Sequence, residues 1–171
     1  MIFRVRNLGG VGGAGLAHGL GGGERVLLGR AVEELLGDLG DGVVAVALFG
    51  SRARGEASEG SDFDLLVVVR GLKGLDRRFK IYDPLRRVLR RDITIIDIDE
   101  EAIFDEGLSI TPLLLNIAWD AEILHDPTGR LTALFNRIRE AVKRAKLVRY
   151  RTADGKYGWK PPKGELKAIE V

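Results

Sequence analysis

Leu48-Phe-Gly-Ser-Arg-Ala-Arg-Gly-Glu-Ala-Ser-Glu-Gly-Ser-Asp-Phe-Asp-Leu-Leu-Val-Val-Val69 is the stretch on which the reading of this chain turns. An apolar strand, Val43 to Phe49, runs into a Gly-Ser turn and a short basic loop. A second apolar strand then opens with Asp-x-Asp. Two carboxylates two residues apart on a strand project to the same side, because side chains alternate along it. That pair can clamp a divalent cation. The Gly50-Ser51 turn falls where a short helix would start, and the first amides of a helix have no partner inside it, so they can receive phosphate.

Working outward, apolar residues at Val26, Leu27, Val32, Leu35, Leu36 and Leu39 predict an amphipathic helix over 24–39. Residues 56–61 read as a polar loop between the two strands. Arg77 to Arg91 reads as helical, with Asp83-Pro84 restarting the helix through a cap and a proline at its first position. A third strand covers Asp92 to Ile98, and Asp99 is placed to cap a short helix over 100–105. Further expectations are a helix over 109–118, an edge strand over 121–124 and a long basic helix over 127–148. The last aromatic stretch, 150–162, reads as a hairpin or an unstructured arm. This order gives an α/β (α+β) fold, a small mixed sheet flanked by helices. The expected divisions are a glycine-rich extension over 1–23, a core over 24–126, and a basic helix and arm over 127–171.

Composition narrows the function classes. The chain has 171 residues, enough for one domain with a moderate core. Cysteine is absent, which removes disulfides, zinc-thiolate centres and thiol nucleophiles. No apolar run approaches the ~20 residues of a membrane span, and the N-terminus lacks the apolar core of a signal peptide, so a cytoplasmic location is expected. The net charge of +2 is uneven: residues 128–171 hold twelve Lys or Arg against four Asp or Glu. Such a basic tail is either a solvated helix face or a surface for nucleic acid or an acidic partner.

Other motifs carry less. Gly10 to Gly15 matches G-x-G-x-x-G, but a dinucleotide fingerprint must open a helix, and the residues that follow resist one. His18 lies among glycines without ligand spacing, and His125, in His-Asp-Pro, reads as a turn residue. A third acid is more telling. If the strand from Asp92 pairs beside the Asp-x-Asp strand, Asp92 meets Asp62 and Asp64 at one end of the sheet. Three carboxylates so close repel one another unless cations neutralise them, and Mg²⁺ suits an all-oxygen set. Asp97 and Asp99 have the opposite parity, so one register excludes them.

Gly50-Ser51, ten intervening residues, Asp62-Phe63-Asp64 and a later strand Asp together resemble the nucleotidyltransferase superfamily that includes DNA polymerase beta. More narrowly, the chain is similar to the minimal nucleotidyltransferases, prokaryotic proteins often paired as antitoxins with a HEPN-type toxin. The resemblance spans about residue 25 to residue 126. It implies transfer of NMP, most often AMP, from ATP or another NTP to a hydroxyl, with two Mg²⁺ ions. Gly50 and Ser51 would contact the triphosphate, with Arg52 and Arg54 as further phosphate contacts. Asp62, Asp64 and Asp92 would be the metal ligands and catalytic acids. Little chain follows the core to recruit an acceptor, so a partner protein is expected to supply it, a HEPN-type protein in particular. A non-catalytic antitoxin that works by contact is the alternative. Nucleic-acid binding with terminal nucleotide addition, and a homo-oligomer, are left open.

Overall fold

In the computed structural model, residues 20–162 are described. The glycine motif at 10–15 and His18 lie outside them. Helix α1 (Gly22–Leu39) leads through a single 3-10 turn into β1 (Val43–Phe49). A four-residue helix, α2 (Gly50–Ala53), and a loop precede β2 (Phe63–Val69). Helix α3 (Arg77–Leu89) crosses to β3 (Ile93–Asp99), which is followed by α4 (Glu100–Ile103), α5 (Pro112–Asp120) and β4 (Glu122–His125). Helix α6 (Arg130–Arg144) and a hairpin, β5 (Val148–Arg151) with β6 (Tyr157–Lys160), complete the described chain.

The main sheet has the order β3-β2-β1-β4. Strand β1 is antiparallel to both β2 and β4, whereas β2 and β3 are parallel, so the sheet is mixed as expected. Its central strands are β-branched and apolar on both faces, which suits a sheet covered on both sides. Alternation sorts their side chains. Phe63, Leu65, Val67 and Val69 face α1 and α3, where Leu28, Leu35, Ile81 and Leu85 are fully buried. Leu66 and Val68 face the opposite layer of α5 and α6, with Ile117, Leu131, Phe135 and Ile138. Each large side chain buried this way contributes roughly 1.5–3 kcal/mol. The basic C-terminal helix is therefore part of this core: its apolar stripe lies against the sheet layer and its charges face outward.

Two local expectations change. Helix α3 does not restart at Pro84: it runs through, with Asp76 at its N-cap and Pro84 in its interior. The proline removes one backbone donor. Buried Ile81, Pro84, Leu85 and Leu89 hold the helix on its layer, and that packing outweighs the lost bond. Asp99 does occupy the N-cap position of α4, but its carboxylate makes no capping bond. It pairs instead with Arg77 at 2.9 Å, because Arg77 at the start of α3 also reaches Asp97. No helix among the described residues is long and apolar enough to cross a membrane.

Candidate active site

Gly50 begins α2 with φ +74°, a left-handed conformation that L-residues with a side chain rarely adopt. It also lies directly against Asp64. A Cβ added to Gly50 would fall 2.8 Å from Asp64 Cγ, so only glycine fits both the turn and its neighbour. Sheet pairing sets this apposition, since Phe49 is the register partner of Asp64. The turn after β1 is thereby pressed onto the start of β2. Backbone bonds from Arg54 N to Gly50 O and from Glu56 N to Ser51 O close the loop behind it.

The acids follow from strand geometry. Asp64 pairs with Thr94 across the parallel β2–β3 ladder, and Phe63 N donates to Asp92 O at 3.0 Å, one step before the first pair. Asp62 and Asp92 are therefore level, each one residue ahead of its strand, and the Asp62 charge is felt at Asp64. The register puts Asp92 at the same end of the sheet as Asp62. Asp97 and Asp99 sit toward the other end of β3, paired with Arg77. Asp62 and Asp92 are exposed, and Asp64 is half-buried. Burial pushes the Asp64 carboxyl above its usual range, and the Asp62 charge pushes it further. Arg54, a hydrogen bond with Thr94 and Arg52 oppose that rise only in part. Among the described residues, no three acidic, histidine or cysteine side chains stand close enough to form a ready-made metal cage.

The two arginines of the loop have different places. Arg52 is buried, and its donors are committed to the protein: Nε to Asp62 O at 3.1 Å, Nη2 to Ser61 O at 2.5 Å and Nη1 to Glu24. Its guanidinium also lies 4.3 Å over the Phe63 ring. It pins the loop that delivers Asp62 and does not line the open face of the turn. Arg54 is less buried than Arg52 and turns to other partners. Its Nε reaches Glu56 at 2.9 Å and its Nη1 reaches Asp120 at 2.8 Å. Its charge acts on Asp64.

Sequence reasoning missed Thr94 and Asp120. Thr94 was legible only once the β2–β3 register was known. Asp120 carried a faint signal, as the one charged residue in a largely apolar helix. The aromatic stretch at the C-terminus turns inward on its own domain. Trp159 meets Trp119 edge-on with ring centroids 5.0 Å apart and donates to Asn116 at 2.8 Å. Tyr157 lies between arginines with its hydroxyl on Glu56 at 2.7 Å.

Comparison with known proteins places this arrangement. The family described as "Polymerase beta, Nucleotidyltransferase" matches residues 33–107, which include the Gly-Ser turn and all three acids. A protein of Methanocaldococcus jannaschii, provisionally named a protein adenylyltransferase, is 35% identical over 112 residues, covering 64% of this chain and 76% of that protein. Among solved structures, a toxin-antitoxin with AMP-PNP aligns with TM-score 0.48 at 16% identity, over 68% of this chain and 87% of that one. A complex of tri-AMPylated Shewanella oneidensis HEPN toxin with MNT antitoxin aligns with TM-score 0.46 at 16% identity, over 70% and 87%. Spectinomycin adenyltransferase from Enterococcus faecialis, with ATP and spectinomycin, aligns with TM-score 0.48 at 14% identity, over 72% and 65%. The archaeal relative is matched over most of its length and the family match falls on the turn and strands built above: this chain belongs to the polymerase beta nucleotidyltransferase family and is a nucleotidyltransferase.

Proposed function

We propose that the protein moves AMP from ATP to a hydroxyl group carried by a partner protein, releasing pyrophosphate. The observation that carries this reading is the apposition of Gly50 and Asp64, which joins a backbone phosphate turn to an Asp-x-Asp strand without an intervening side chain. The name of the archaeal relative supports adenylyl as the group and protein as the acceptor. A HEPN-type protein is the partner we favour, on the resemblance of the Gly50-to-Asp64 motif to the minimal nucleotidyltransferases.

The residues fit a hard divalent cation. The donors are carboxylate oxygens, and Asp64 is held above its ordinary range by burial and by Asp62, a strain that a cation would relieve. Asp62 and Asp64 would hold it, with Asp92 as the third ligand. Bound Mg²⁺, two ions in our reading, would supply charge neutralisation for the triphosphate and the departing pyrophosphate.

The protein's own residues do the rest. The amides that open α2 receive the triphosphate, with Gly50 permitting close approach and the Ser51 hydroxyl adding a contact. Arg54 contributes a fixed positive charge at the same end of the sheet. Arg52 keeps Asp62 in place through the 61–62 carbonyls. The acceptor oxygen attacks the α-phosphorus, an O–P bond forms and the α–β bridging bond breaks. The acceptor proton leaves toward Asp92, and the pair of electrons leaves with pyrophosphate.

Incubation with α-labelled ATP, Mg²⁺ and a HEPN-type partner tests this directly. Label should appear on the partner with the wild type and not with the double variant Asp62→Ala/Asp64→Ala. Equal labelling by both, or none by the wild type, would sink the proposal. A partner still neutralised by a variant lacking all three acids would favour the contact-only antitoxin instead.

A further inference from the structure

The C-terminal hairpin is tied to the loop that carries the phosphate turn, and the tie has the build of a working part. Asp120 ends α5 with a side chain only 5% exposed. A carboxylate at a helix C-terminus faces the negative end of the helix dipole, and burial adds a desolvation cost. It persists here because two guanidiniums converge on it from distant parts of the chain. Arg149 of β5 grips it with two prongs, Nη1 to Oδ1 at 2.6 Å and Nη2 to Oδ2 at 2.7 Å. Arg54, three residues past Ser51, takes Oδ2 at 2.8 Å.

Tyr157 of β6 closes the assembly. Its ring lies 3.9 Å from the Arg149 guanidinium and 4.7 Å from that of Arg54, and its hydroxyl donates to Glu56. Glu56 in turn binds Arg54 Nε. Arg54 is thus held at two nitrogens by carboxylates and along one face by an aromatic ring, an unusual degree of order for a long side chain on a loop. Arg139 lies within the field of Asp120, and Arg151 within that of Glu56, so the two carboxylates that hold Arg54 are shared with further guanidiniums, while the Arg54 charge itself acts on Asp64. A positive charge fixed in this way near the Gly50-Ser51 turn suits a polyanion.

We propose that Asp120, Arg149 and Tyr157 are positioning residues that hold Arg54 ready for the triphosphate, making the C-terminal hairpin an integral wall of the nucleotide site. The proposal rests on the transferase reading above and deepens it. Binding energy that would otherwise be spent ordering Arg54 is already committed in the free protein. The effect is one of nucleotide capture, so it belongs to affinity more than to turnover.

The molecule supplies its own probe. Its two tryptophans, Trp119 on α5 and Trp159 on β6, are both at the hairpin contact, so their emission reports docking. The test uses the full chain with α,β-methylene ATP, whose α–β bond cannot be cleaved, and Mg²⁺. Arg149→Met and Tyr157→Ala should each weaken binding about tenfold and raise KM for ATP in parallel, with kcat changed by less than about threefold. Tyr157→Phe keeps the ring and should cost less than about threefold, within the range of one lost hydrogen bond. Lys156→Ala, in the hairpin turn, should change nothing. Arg149→Lys keeps the charge without the two prongs and gives a milder version of the test should Arg149→Met fold poorly.

Variants whose tryptophan emission shifts to the red while nucleotide affinity stays at the wild-type value would overturn the proposal. So would an equal loss of kcat and affinity that follows thermal stability alone. Wild type that binds no nucleotide would bring down the transferase reading and this one together, whereas binding unaffected by either variant would remove only the positioning role.

Discussion

Gly50 and Asp64 are packed backbone against carboxylate, and the turn and the acid strand can be considered a single unit. Gly50→Ala must accommodate both a positive φ and a clash with Asp64. The conformational strain alone costs about 1–2 kcal/mol. Relief would push Asp64 out of place, so we expect transfer to fall by at least about 100-fold, out of proportion to the strain. Label transfer measured beside a thermal melt separates the two effects. A Gly50→Ala protein with near-normal transfer would remove the turn from the site.

Asp64 should separate activity from stability. Its half-buried charge is opposed by burial and by Asp62, so at neutral pH the ionised form is under strain. Asp64→Asn keeps the shape, can still pair with Thr94 and removes the repulsion. The melting temperature should stay level or rise by a few degrees, at about 2–4 °C per kcal/mol for a chain of this size. Transfer should be lost. A variant that both melts early and loses activity would make Asp64 a structural residue.

Arg52 is expected to behave in the opposite way. Buried, bonded to two carbonyls and to Glu24, and stacked on Phe63, it should destabilise the fold on removal by about 2–3 kcal/mol, the cost of hydrogen bonds to a buried charge. Arg52→Met should lower the melting temperature by roughly 5–10 °C on the same scale. Arg52→Lys should recover little, since one ammonium cannot reach Ser61, Asp62 and Glu24 together. Nucleotide affinity in whatever protein remains folded should change far less than stability.

Acid should loosen the hairpin. The Tyr157 hydroxyl, then Arg54, hold the Glu56 carboxyl below its ordinary value of 4.5, with burial acting against them. A lowered native pKa contributes stability that is present above 4.5 and is lost as the pH falls through the native value. The hairpin contact, followed by tryptophan emission, should therefore be constant from pH 7 to about 5 and weaken below that. Glu56→Gln should begin weaker and respond less to acid over the same window. Identical profiles for wild type and Glu56→Gln would assign the acid response to other groups.

The sequence carried the centre of this molecule well and its surroundings less well, for a physical reason. Strand alternation and the Gly-Ser spacing depend on backbone geometry, which is local, so β1, β2, the turn and the parity of Asp92 against Asp97 could all be read. The direction of a long side chain leaving a loop is not local. Arg52 and Arg54 are two residues apart in one basic loop, yet one is buried against Phe63 and the other is held by Asp120. Pro84 failed as a helix signal because Ile81, Leu85 and Leu89 decide whether that helix continues, and they pack against α1 across the domain. Tyr157 and Trp159 gave no hint of whether they would face nucleic acid or their own helix α5.

The parallel pairing of β2 and β3 has a bearing on how this chain can change over time. Asp92 shares an edge with Asp62 only because the ladder from Phe63–Ile93 to Val69–Asp99 runs without a slip. The 70–76 connection is anchored at its ends, where Arg70 pairs with Glu100 and Asp76 with Lys80, but residues 73–75 between them are exposed and set no strand register, so lineages could vary the length there. A single residue gained or lost at the start of the ladder, between Asp92 and Thr94, would put Asp92 out of step with Asp62. Tolerated insertions should therefore accumulate in the exposed 73–75 turn and be absent around Asp92.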